Sequence, residues 1–495
     1  MFDVRRPTCV LALSCLWTGI AFGQLTYKTT FLTHLAGDPG GLAVADFNRD
    51  GKPDIGAVHA STLSVFFNQG AGAFGSQHDT ALAANSVSVQ ALAADVNRDG
   101  KIDLVIAQST PQQIAVLLGN GDGTFQPAIT FSLVNAPKAI AMGDFNNDGK
   151  VDLAVRECPS SSTDCDIAVY LGTGTGMFTL ATVLPAPGSS SFTHSLAVTD
   201  FNRDGKLDIA TAALGGSSSS PTVHFSVFFG NGNGTFSSPA NTAVPFTLPA
   251  GSAALPPSIV SGDFNGDGVD DIGVETGSVC GSACGEAKMN IFLNNRSGGF
   301  SLKSQFASSG NEEANNWRAG DLNNDLRIDL LRISSFVHTG STQTWEGSGT
   351  GFFTSVSNPF SGFADLFAEI RDLNVDGRHD VIHSVEGLGE DDVAVTLNGN
   401  GTPNCPPPPS NVLQAKLCTP GTTTSSTTFT VKASGNSPVG IKRVELWVDG
   451  VKRAQALNDQ LRRTLTLSAG THRITIVAVD QYIGFAKTTR FVTVP

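Results

Sequence analysis

Seven short loops of acidic and amide residues are the part of this sequence best suited to chemistry. The pattern Asp-x-Asn-x-Asp-Gly-x-x-Asp recurs seven times, with Leu326 in place of the glycine in the sixth copy. Each copy places oxygen side chains at positions 1, 3, 5 and 9 and offers a backbone carbonyl at position 7. Calcium prefers six to eight oxygen ligands at about 2.3–2.6 Å, and such a loop gathers several. The glycine permits the left-handed turn that the loop needs.

The repetition favours a metal over the alternative reading, metal-free Asx turns built from the same residues. Three carboxylates within nine residues repel one another, and a bound cation would offset that repulsion. An EF-hand is excluded because no Glu follows at position 12 and no amphipathic helices flank the loops. We number the loops 1 to 7 in chain order and predict up to seven Ca²⁺ ions, held by Asp46, Asn48, Asp50, Asp54, Asp95, Asn97, Asp99, Asp103, Asp144, Asn146, Asp148, Asp152, Asp200, Asn202, Asp204, Asp208, Asp263, Asn265, Asp267, Asp271, Asp321, Asn323, Asp325, Asp329, Asp372, Asn374, Asp376 and Asp380.

The spacing of the loops indicates the elements that position them. Successive copies begin 49, 49, 56, 63, 58 and 51 residues apart, the length of a four-stranded antiparallel unit. A short apolar strand precedes each loop and another follows it. A third strand then leads to a glycine-rich hairpin before a Phe, as in Val116 to Phe125. No helix or suitably placed Lys follows these glycines, which argues against a phosphate-binding loop.

The pairing of this acidic loop with a hairpin such as LGNGDGTF resembles the FG-GAP or VCBS repeat of integrin-alpha-like β-propellers. The resemblance covers about residues 25 to 403. It implies an all-β fold in which seven blades form a ring and the calcium loop joins the first two strands of each blade. Members of the family are commonly secreted or surface proteins that bind or adhere, although the fold alone does not fix the function.

The two ends of the propeller region are predicted to meet in one blade. The seventh repeat has its calcium loop and a third strand at Val393 to Leu397, but the chain then runs into Pro403 without a fourth strand. Leu25 to Leu35 reads as a strand with no blade of its own. We expect it to supply the outer strand of blade 7, which would leave no open edge between the first and last blades.

The N-terminus predicts export. Residues 1–23 contain Arg5 and Arg6, an apolar stretch and a small-residue cleavage pattern, so the mature chain would begin at Gln24. A lipoprotein with its anchor at Cys15 is the weaker alternative. No later stretch has the roughly 18 apolar residues of a membrane span. We therefore expect a secreted or surface protein, monomeric, with a propeller at 24–403, a Pro-rich linker at 404–410 and a second domain at 411–495.

Cysteine usage and net charge fit this compartment and this chemistry. Beyond the leader, the cysteines form three near-neighbour pairs that predict disulfides rather than zinc sites, because matching His residues are absent: Cys158 with Cys165, Cys280 with Cys284, and Cys405 with Cys418. The net charge is −13, and 21 of the 44 acidic residues stand at positions 1, 5 and 9 of the seven loops. Such a balance disfavours nucleic acid as a partner.

The C-terminal region has a different pattern. Residues 411–495 contain no acidic loop and show short alternating runs separated by turn signals such as Asp449-Gly450. VELWVDG with the later AGTHRITIVAVD resembles bacterial Ig-like modules, which implies a small β-sandwich. Trp447 could serve as a sugar-stacking platform, but Val444 and Val448 beside it favour a packing role.

No catalytic constellation is recognisable. A nucleophile elbow, a zinc-protease motif and a coupled Cys/His pair are all absent from the sequence. Acidic residues outside the loops could form a lyase or hydrolase pair, but the sequence cannot bring them together: Glu275, Glu286, Glu312 and Glu313. Arg318 and Glu369 precede loops 6 and 7 by three residues and predict a structural ion pair near the central channel.

The sequence thus predicts a non-enzymatic binding or adhesion module for an extracellular protein or glycan. A carbohydrate-active enzyme and a purely structural matrix component are the alternatives. Loop length varies mainly on the face opposite the calcium loops, where recognition usually lies in such scaffolds. We therefore place the ligand surface in five insertions: Glu157 to Asp164, Ala186 to His194, Leu214 to Thr222, Ser237 to Pro257 and Thr276 to Ala287.

Overall fold

The computed structural model describes residues 27–35, 39–159, 165–186, 196–217, 220–279, 287–308, 314–335, 341–356, 367–386, 391–398, 405, 407–408, 412–456, 459–480 and 484–495. The ordered elements among them are all β-strands. The predicted leader 1–23 and the pair Cys280 with Cys284 lie outside the described residues, as do Glu286, Glu312 and Glu313.

The N-terminal strands form four-stranded antiparallel sheets that follow the acidic repeats. Sheet 1 contains β2 (Pro39–Ala45), β3 (Asp54–His59), β4 (Thr62–Gly70) and β5 (Ala73–Ala81). Sheet 2 contains β6 (Val87–Ala94), β7 (Asp103–Thr110), β8 (Gln112–Leu117) and β9 (Ile129–Ser132). Sheet 3 contains β10 (Ala136–Gly143), β11 (Asp152–Cys158), β12 (Cys165–Gly172) and β13 (Phe178–Ala186). Sheet 4 contains β14 (Leu196–Thr199), β15 (Asp208–Ser217), β16 (Ser220–Phe228) and β17 (Ala240–Val244).

Three further sheets continue the series. Sheet 5 contains β18 (Ala253–Gly262), β19 (Asp271–Val279), β20 (Ala287–Asn294) and β21 (Phe300–Ala307). Sheet 6 contains β22 (Ala314–Gly320), β23 (Asp329–Ser335), β24 (Ser341–Gly347) and β25 (Phe353–Val356). Sheet 7 contains β26 (Ala368–Arg371), β27 (Asp380–Glu386), β28 (Asp391–Asn398) and, from the other end of the chain, β1 (Tyr27–Leu35). The strand order β1-β28-β27-β26 places β1 on the outer edge, where the sequence had placed it.

Apolar side chains pack between neighbouring sheets. The second strand of each sheet is a continuous buried run, such as Leu104 to Ala107, because both of its faces meet adjacent sheets. Sheets 1 and 7 share one core cluster that joins Leu42 and Phe66 to Leu373, with Leu32 and Leu35 of β1 on its outer side. The first strands of all seven sheets line a common central cavity. This arrangement is that of propeller blades.

The C-terminal region forms two facing antiparallel sheets. One contains β29 (Gln414–Thr419), β30 (Thr428–Asn436) and β33 (Gln460–Thr466). The other contains β31 (Ile441–Val448), β32 (Val451–Ala456), β34 (Gly470–Asp480) and β35 (Phe485–Val494). The sequence had not predicted β29 and β32. Asp449 and Gly450 have φ values of 52° and 84°, which make the two-residue hairpin between β31 and β32. Alternate residues fill a single core between the sheets, as expected of a sandwich.

Candidate calcium-binding face

Each acidic loop joins the first two strands of its sheet and contains two residues in the left-handed region. Position 6 has φ between 70° and 87° in all seven loops. Leu326 takes this conformation at φ 70°, as the sequence predicted. Position 4 is also left-handed, which the sequence analysis missed: Arg49, Arg98, Asn147, Arg203, Gly266, Asn324 and Val375. Two left-handed residues in six turn the backbone back on itself and direct its N–H groups inward.

The side chains at positions 1, 3 and 5 accept hydrogen bonds from this curled backbone, with the same pattern in every loop. In loop 1, Asp46 accepts from the backbone N–H groups of positions 5 and 6 at 3.0 and 2.9 Å. Asn48 Oδ1 accepts from position 5 at 2.9 Å, and Asp50 Oδ1 accepts from position 7 at 3.0 Å. Loop 7 repeats these four bonds at Asp372, Asn374 and Asp376. The fixed pattern orients each polar side chain, and the carboxylate oxygens of positions 1 and 5 keep a further lone pair for a cation, except Asp376 Oδ2, which accepts from both Nε and Nη2 of Arg378.

The position 9 carboxylate has a structural role that the sequence analysis did not identify. In loop 1, Asp54 Oδ2 accepts from Phe47 N at 3.1 Å and Oδ1 accepts from Asn68 N, at the end of the third strand, at 2.9 Å. Asp380 makes the equivalent bonds with Leu373 and Asn398. The seven position 9 residues are fully buried. Each therefore ties the loop to the third strand of its own sheet. A signal was present in the sequence, since this Asp is always the first residue of the second strand and is always followed by Ile, Leu or Val.

Burial and mutual repulsion raise the pKa values of these carboxyl groups. Burial, followed by the charges of Asp46 and Asp50, raises the pKa of Asp54 to about 7 even though Asn68 N–H lowers it. The same causes raise the pKa of Asp271 and of Asp329 to about 8. Position 1 is affected as well, because burial raises the pKa of Asp321 to about 6. The folded protein thus holds buried carboxylates at positions 1 and 9 that form no ion pair with a described Lys or Arg, whereas every position 5 carboxylate does.

The donor chemistry fits a hard divalent cation. Each loop offers three carboxylates, one amide oxygen and one backbone carbonyl, all oxygen donors of the kind that Ca²⁺ prefers. A cation among them would relieve the burial cost that the raised pKa values express. Within the part of the chain that the structure describes, however, no three His, Cys, Asp or Glu side chains gather closely enough to hold a metal. Calcium at the predicted ligands therefore remains a proposal, in which the amide and main-chain oxygens complete the set.

The glycine-rich hairpins lie beside these loops, on the same face. Gly123 N of sheet 2 donates to Phe47 O in loop 1 at 3.0 Å, and Gly234 and Gly351 repeat the contact from sheets 4 and 6. A Cβ on Gly123 would lie 2.1 Å from the Phe67 ring, so only glycine fits. Sheets 1, 5 and 7 instead use an Asn side chain to donate to the preceding loop, as Asn398 does to Leu322 O at 2.7 Å. Neighbouring blades are thus joined at their loops.

The C-terminal sandwich is seated on this calcium-loop face. Asp46 N donates to Pro438 O at 3.2 Å, and Arg371 Nη2 donates to Val439 O at 2.9 Å. Val439 is buried in the core cluster of sheets 1 and 2. Lys442 Nζ donates to Val198 O at 2.7 Å, just before loop 4. His379 Nε2 of loop 7 lies 3.4 Å from Asp459 Oδ1. This docking was not predicted from the sequence.

The docked sandwich closes one end of the central cavity, whose volume is about 420 Å³. Arg318 and Glu369 face each other in this cavity with Nη2 and Oε1 3.4 Å apart, so the predicted ion pair is confirmed. At the sandwich end, burial lowers the pKa of His379, but the carboxylates of Asp459, Asp321 and Asp372 raise it to about 9. The three carboxylates thus favour the protonated form of His379, beside loops 6 and 7.

Glu275, the described member of the candidate catalytic acids, is fully engaged in packing. Its Oε1 accepts from Arg332 Nε at 3.0 Å and from Ser308 Oγ at 2.7 Å. Its Oε2 accepts from Trp317 Nε1 at 3.0 Å. Glu275 and Arg332 are both buried. This geometry is that of a buried structural ion pair between sheets 5 and 6 rather than of an acid exposed to substrate.

The predicted ligand insertions overlap the second-to-third and inter-sheet connections of the opposite face, but two of the predicted ranges were too wide. Ser237 to Pro257 also contains β17 and the start of β18, and Leu214 to Thr222 consists mostly of the ends of β15 and β16. The Cys158–Cys165 disulfide closes one of them, and Cys405–Cys418 staples the linker to β29, which confirms two of the three predicted pairs. Parts of the insertions, residues 160–164, 187–194, 218–219 and 280–286, fall outside the described residues. Trp447 is half-buried and its Nε1 donates to Glu445 at 2.9 Å, consistent with packing. Across the described chain, no helix has the length and apolar character of a membrane span.

Comparison with known proteins agrees with the sequence patterns. The FG-GAP-like repeat family matches residues 46–106, 95–155 and 160–211, the FG-GAP repeat family matches 192–235, and the bacterial Ig domain family matches 417–476. No curated protein matches the chain.

Two solved structures are similar in part. One is an Agrocybe aegerita lectin described as recognising non-reducing terminal N-acetylglucosamine, with 18% identity, a TM-score of 0.40, and coverage of 69% of this chain and 83% of the lectin. The other comprises fibronectin(III)-like modules of Clostridium thermocellum CbhA, with 13% identity, a TM-score of 0.16, and coverage of 34% of this chain and 84% of that one. The repeat matches and the sheet order together show an all-β chain that contains FG-GAP repeats over residues 46–235 and a bacterial Ig-like domain over residues 417–476.

Proposed function

We propose that the protein is an exported, calcium-dependent binding module without catalytic activity, whose ligand is an extracellular glycan or protein. The observation that carries the proposal is the sevenfold repetition of one oxygen-rich loop with one hydrogen-bond pattern. Seven buried groups of carboxylates with raised pKa values would destabilise a metal-free ring. Calcium would neutralise them and stiffen the face that joins neighbouring blades.

Loop chemistry supports a ligand surface away from that face. The calcium loops and glycine hairpins are occupied with one another and with the docked sandwich. The insertions on the opposite face vary in length while the sheets beneath them stay regular, which is the usual arrangement of a recognition surface on a rigid scaffold. Glu275 is engaged by Arg332 and Trp317, so it offers no support for the lyase or hydrolase alternative.

The test combines stoichiometry with ligand capture. Equilibrium dialysis of the secreted chain against calcium is expected to give up to seven bound ions. A glycan and extracellular-protein array, read with calcium and with chelator, is expected to show calcium-dependent capture. A variant with the five insertions trimmed to the length found in sheets 1 and 2 should keep its calcium and lose its ligand. Release of product from a polysaccharide panel would instead establish an enzyme, and capture of nothing would favour a matrix component.

The proposed export is tested by a separate experiment. N-terminal sequencing of the secreted protein is expected to begin at Gln24. A chain lipidated at Cys15 would begin there and partition into detergent.

A further inference from the structure

The cleft between the sandwich and the loops of sheets 4 to 6 is strongly basic, although the protein as a whole carries a net charge of −13. Its volume is about 350 Å³, within the usual range for a small-ligand site. Two acidic residues line it, Asp263 and Asp267 of loop 5. Seven basic residues surround them, from both domains. Charge of this sign has no role in the calcium chemistry proposed above.

Three of the seven basic residues are paired. Arg296 Nε lies 3.3 Å from Asp267 Oδ2, Arg327 Nη1 lies 3.8 Å from Asp325 Oδ2, and Lys452 Nζ lies 2.7 Å from Glu445 Oε1. Arg296 and Arg327 each remain about half exposed, with 54% of the side chain accessible. Both guanidinium groups therefore keep N–H donors free to face the cleft.

The other four are Arg203 of loop 4 and Arg453, Arg462 and Arg463 of β32 and β33. All four side chains are exposed, and their guanidinium groups form no hydrogen bond or ion pair with any described residue. Positive charge is crowded here: burial lowers the pKa of Lys452, and the charges of Arg443 and Arg203 lower it further, although Glu445 opposes them. Four unpaired guanidinium groups around one cleft are an unfavourable arrangement unless an anion joins them.

We propose that this cleft binds the anionic group of an acidic saccharide, a carboxylate or a sulfate ester. Guanidinium groups match both anions with paired, parallel N–H donors. The cleft has walls from two domains, so an anion inside it would contact Arg203 on one side and Arg462 or Arg453 on the other. The site goes beyond the proposed function, because it lies on the calcium-loop face rather than in the insertions opposite.

Nucleic acid fits the cleft less well. None of the described residues that line it is aromatic, so none of their side chains could stack on a base. A saccharide also carries neutral hydroxyl groups, which can donate to Gly349 O at the edge of the cleft.

The experiment measures binding of the full chain, in calcium and about 150 mM salt, to four probes: a galacturonate oligosaccharide, a sulfated oligosaccharide, a neutral oligosaccharide of equal length and a single-stranded oligonucleotide. The test variant is Arg203→Gln with Arg462→Gln. The matched control is Arg98→Gln with Lys487→Gln, which removes the same charge from the equivalent position of loop 2 and from exposed β35.

We expect at least one acidic oligosaccharide to bind, the neutral one not to bind, and the test variant to lose at least tenfold in affinity while the control stays within twofold. Which acidic probe binds decides between carboxylate and sulfate. The proposal is overturned if neither acidic probe binds, if test and control variants weaken binding equally, or if the oligonucleotide binds as tightly. Calcium stoichiometry, measured on the same samples, reports separately on the proposed function.

Discussion

Loops 2 and 3 of the propeller lie open to solvent, whereas loops 5, 6 and 7 lie beneath the Ig-like domain, although all five share one motif. The position 1 residues of loops 2 and 3, Asp95 and Asp144, are partly exposed, while Asp263 and Asp321 of loops 5 and 6 are buried. Burial raises the pKa of Asp263 and of Asp321 to about 6. The second domain therefore adds, at position 1 of the covered loops, to the cost that the buried position 9 carboxylate imposes on every empty loop.

Among the covered loops, loop 7 has the most strongly affected position 1 carboxyl group. Burial and the nearby carboxylate of Asp459, which the sandwich contributes, raise the pKa of Asp372 well above its ordinary value. A positive charge on His379, which lies between Asp459 and loops 6 and 7, would partly offset the repulsion between these carboxylates. A domain that adds a carboxylate to an already acidic site should depend on a bound cation for its seating. The comparison thus predicts that covered loops contribute more than open loops to calcium-dependent stability.

The largest expected effect comes from the sheet that carries loop 7. Deletion of residues 24–35 removes β1, exposes the edge of β28 and takes Leu32 and Leu35 out of the core that sheets 1 and 7 share. Burial of each leucine stabilises by roughly 1.5–3 kcal/mol, and the open edge promotes aggregation. We expect a large loss of melting temperature or an aggregated product in size-exclusion chromatography. A monomeric deletion variant of unchanged stability would contradict the closure at β1.

Removal of calcium should have the second-largest effect on stability. A site that binds at about 10 µM gains roughly 2.7 kcal/mol of stability in about 1 mM calcium, and several such sites approach the whole stability of a domain. Calorimetric melts with calcium and with chelator are expected to differ by many degrees. Covered and open loops can be separated by hydrogen exchange, where chelator should unprotect the backbone of loops 5 to 7 more than that of loops 2 and 3. Equal changes in both groups would refute the comparison, and an unchanged melt would refute calcium binding.

The chelated protein should become less stable as pH rises from about 4 to about 8. Burial raises the pKa of Asp103 to about 7 and that of Asp271 to about 8, against an ordinary value of 3.8. Between those values the folded state keeps protons that the unfolded state has released, so stability is present at the low end of the window and is lost as pH rises through the folded pKa. Urea denaturation at stepped pH measures this. A flat or rising profile in chelator would show that the buried carboxylates are compensated.

The sequence predicted the acidic loops and the second domain, but not that the second domain covers some of the loops and leaves others open. Strand order, the loops and the place of β1 follow from local patterns that repeat, so one copy confirms another. The seating of Pro438, Val439 and Asp459 on loops 1 and 7 depends on the shape and charge of two separate surfaces, and neither surface has a local pattern. The basic cleft was equally hidden, because Arg203, Arg296 and Arg462 come from distant parts of a chain whose average charge is negative.

The position 9 carboxylates show a different limit of prediction from sequence. Their spacing identified them correctly as special, but it did not separate ligands from structural acceptors. Asp152 accepts from Phe145 N and Gly172 N with its two oxygens, and a pattern of residue types contains no information on which N–H groups will converge on it. Substitution of a position 9 residue would therefore disturb the fold as well as any metal, whereas positions 1 and 5 are the cleaner probes of calcium.

The smallest expected effect concerns a single left-handed residue in each group. Leu326 in covered loop 6 has φ 70°, where a side chain costs about 1–2 kcal/mol, so Leu326→Gly should stabilise the protein by about 1 kcal/mol and tighten one calcium site. Gly100 in open loop 2 has φ 80°, and a Cβ there would meet no atom within 4 Å, so Gly100→Ala measures the conformational cost alone, with the opposite sign. Calcium titration calorimetry and urea denaturation of both variants test the pair. Leu326→Gly could instead match the wild type while Gly100→Ala weakened calcium binding. In that case covered loop 6 would tolerate backbone strain that open loop 2 does not, and contacts with the Ig-like domain would offset the strain at Leu326.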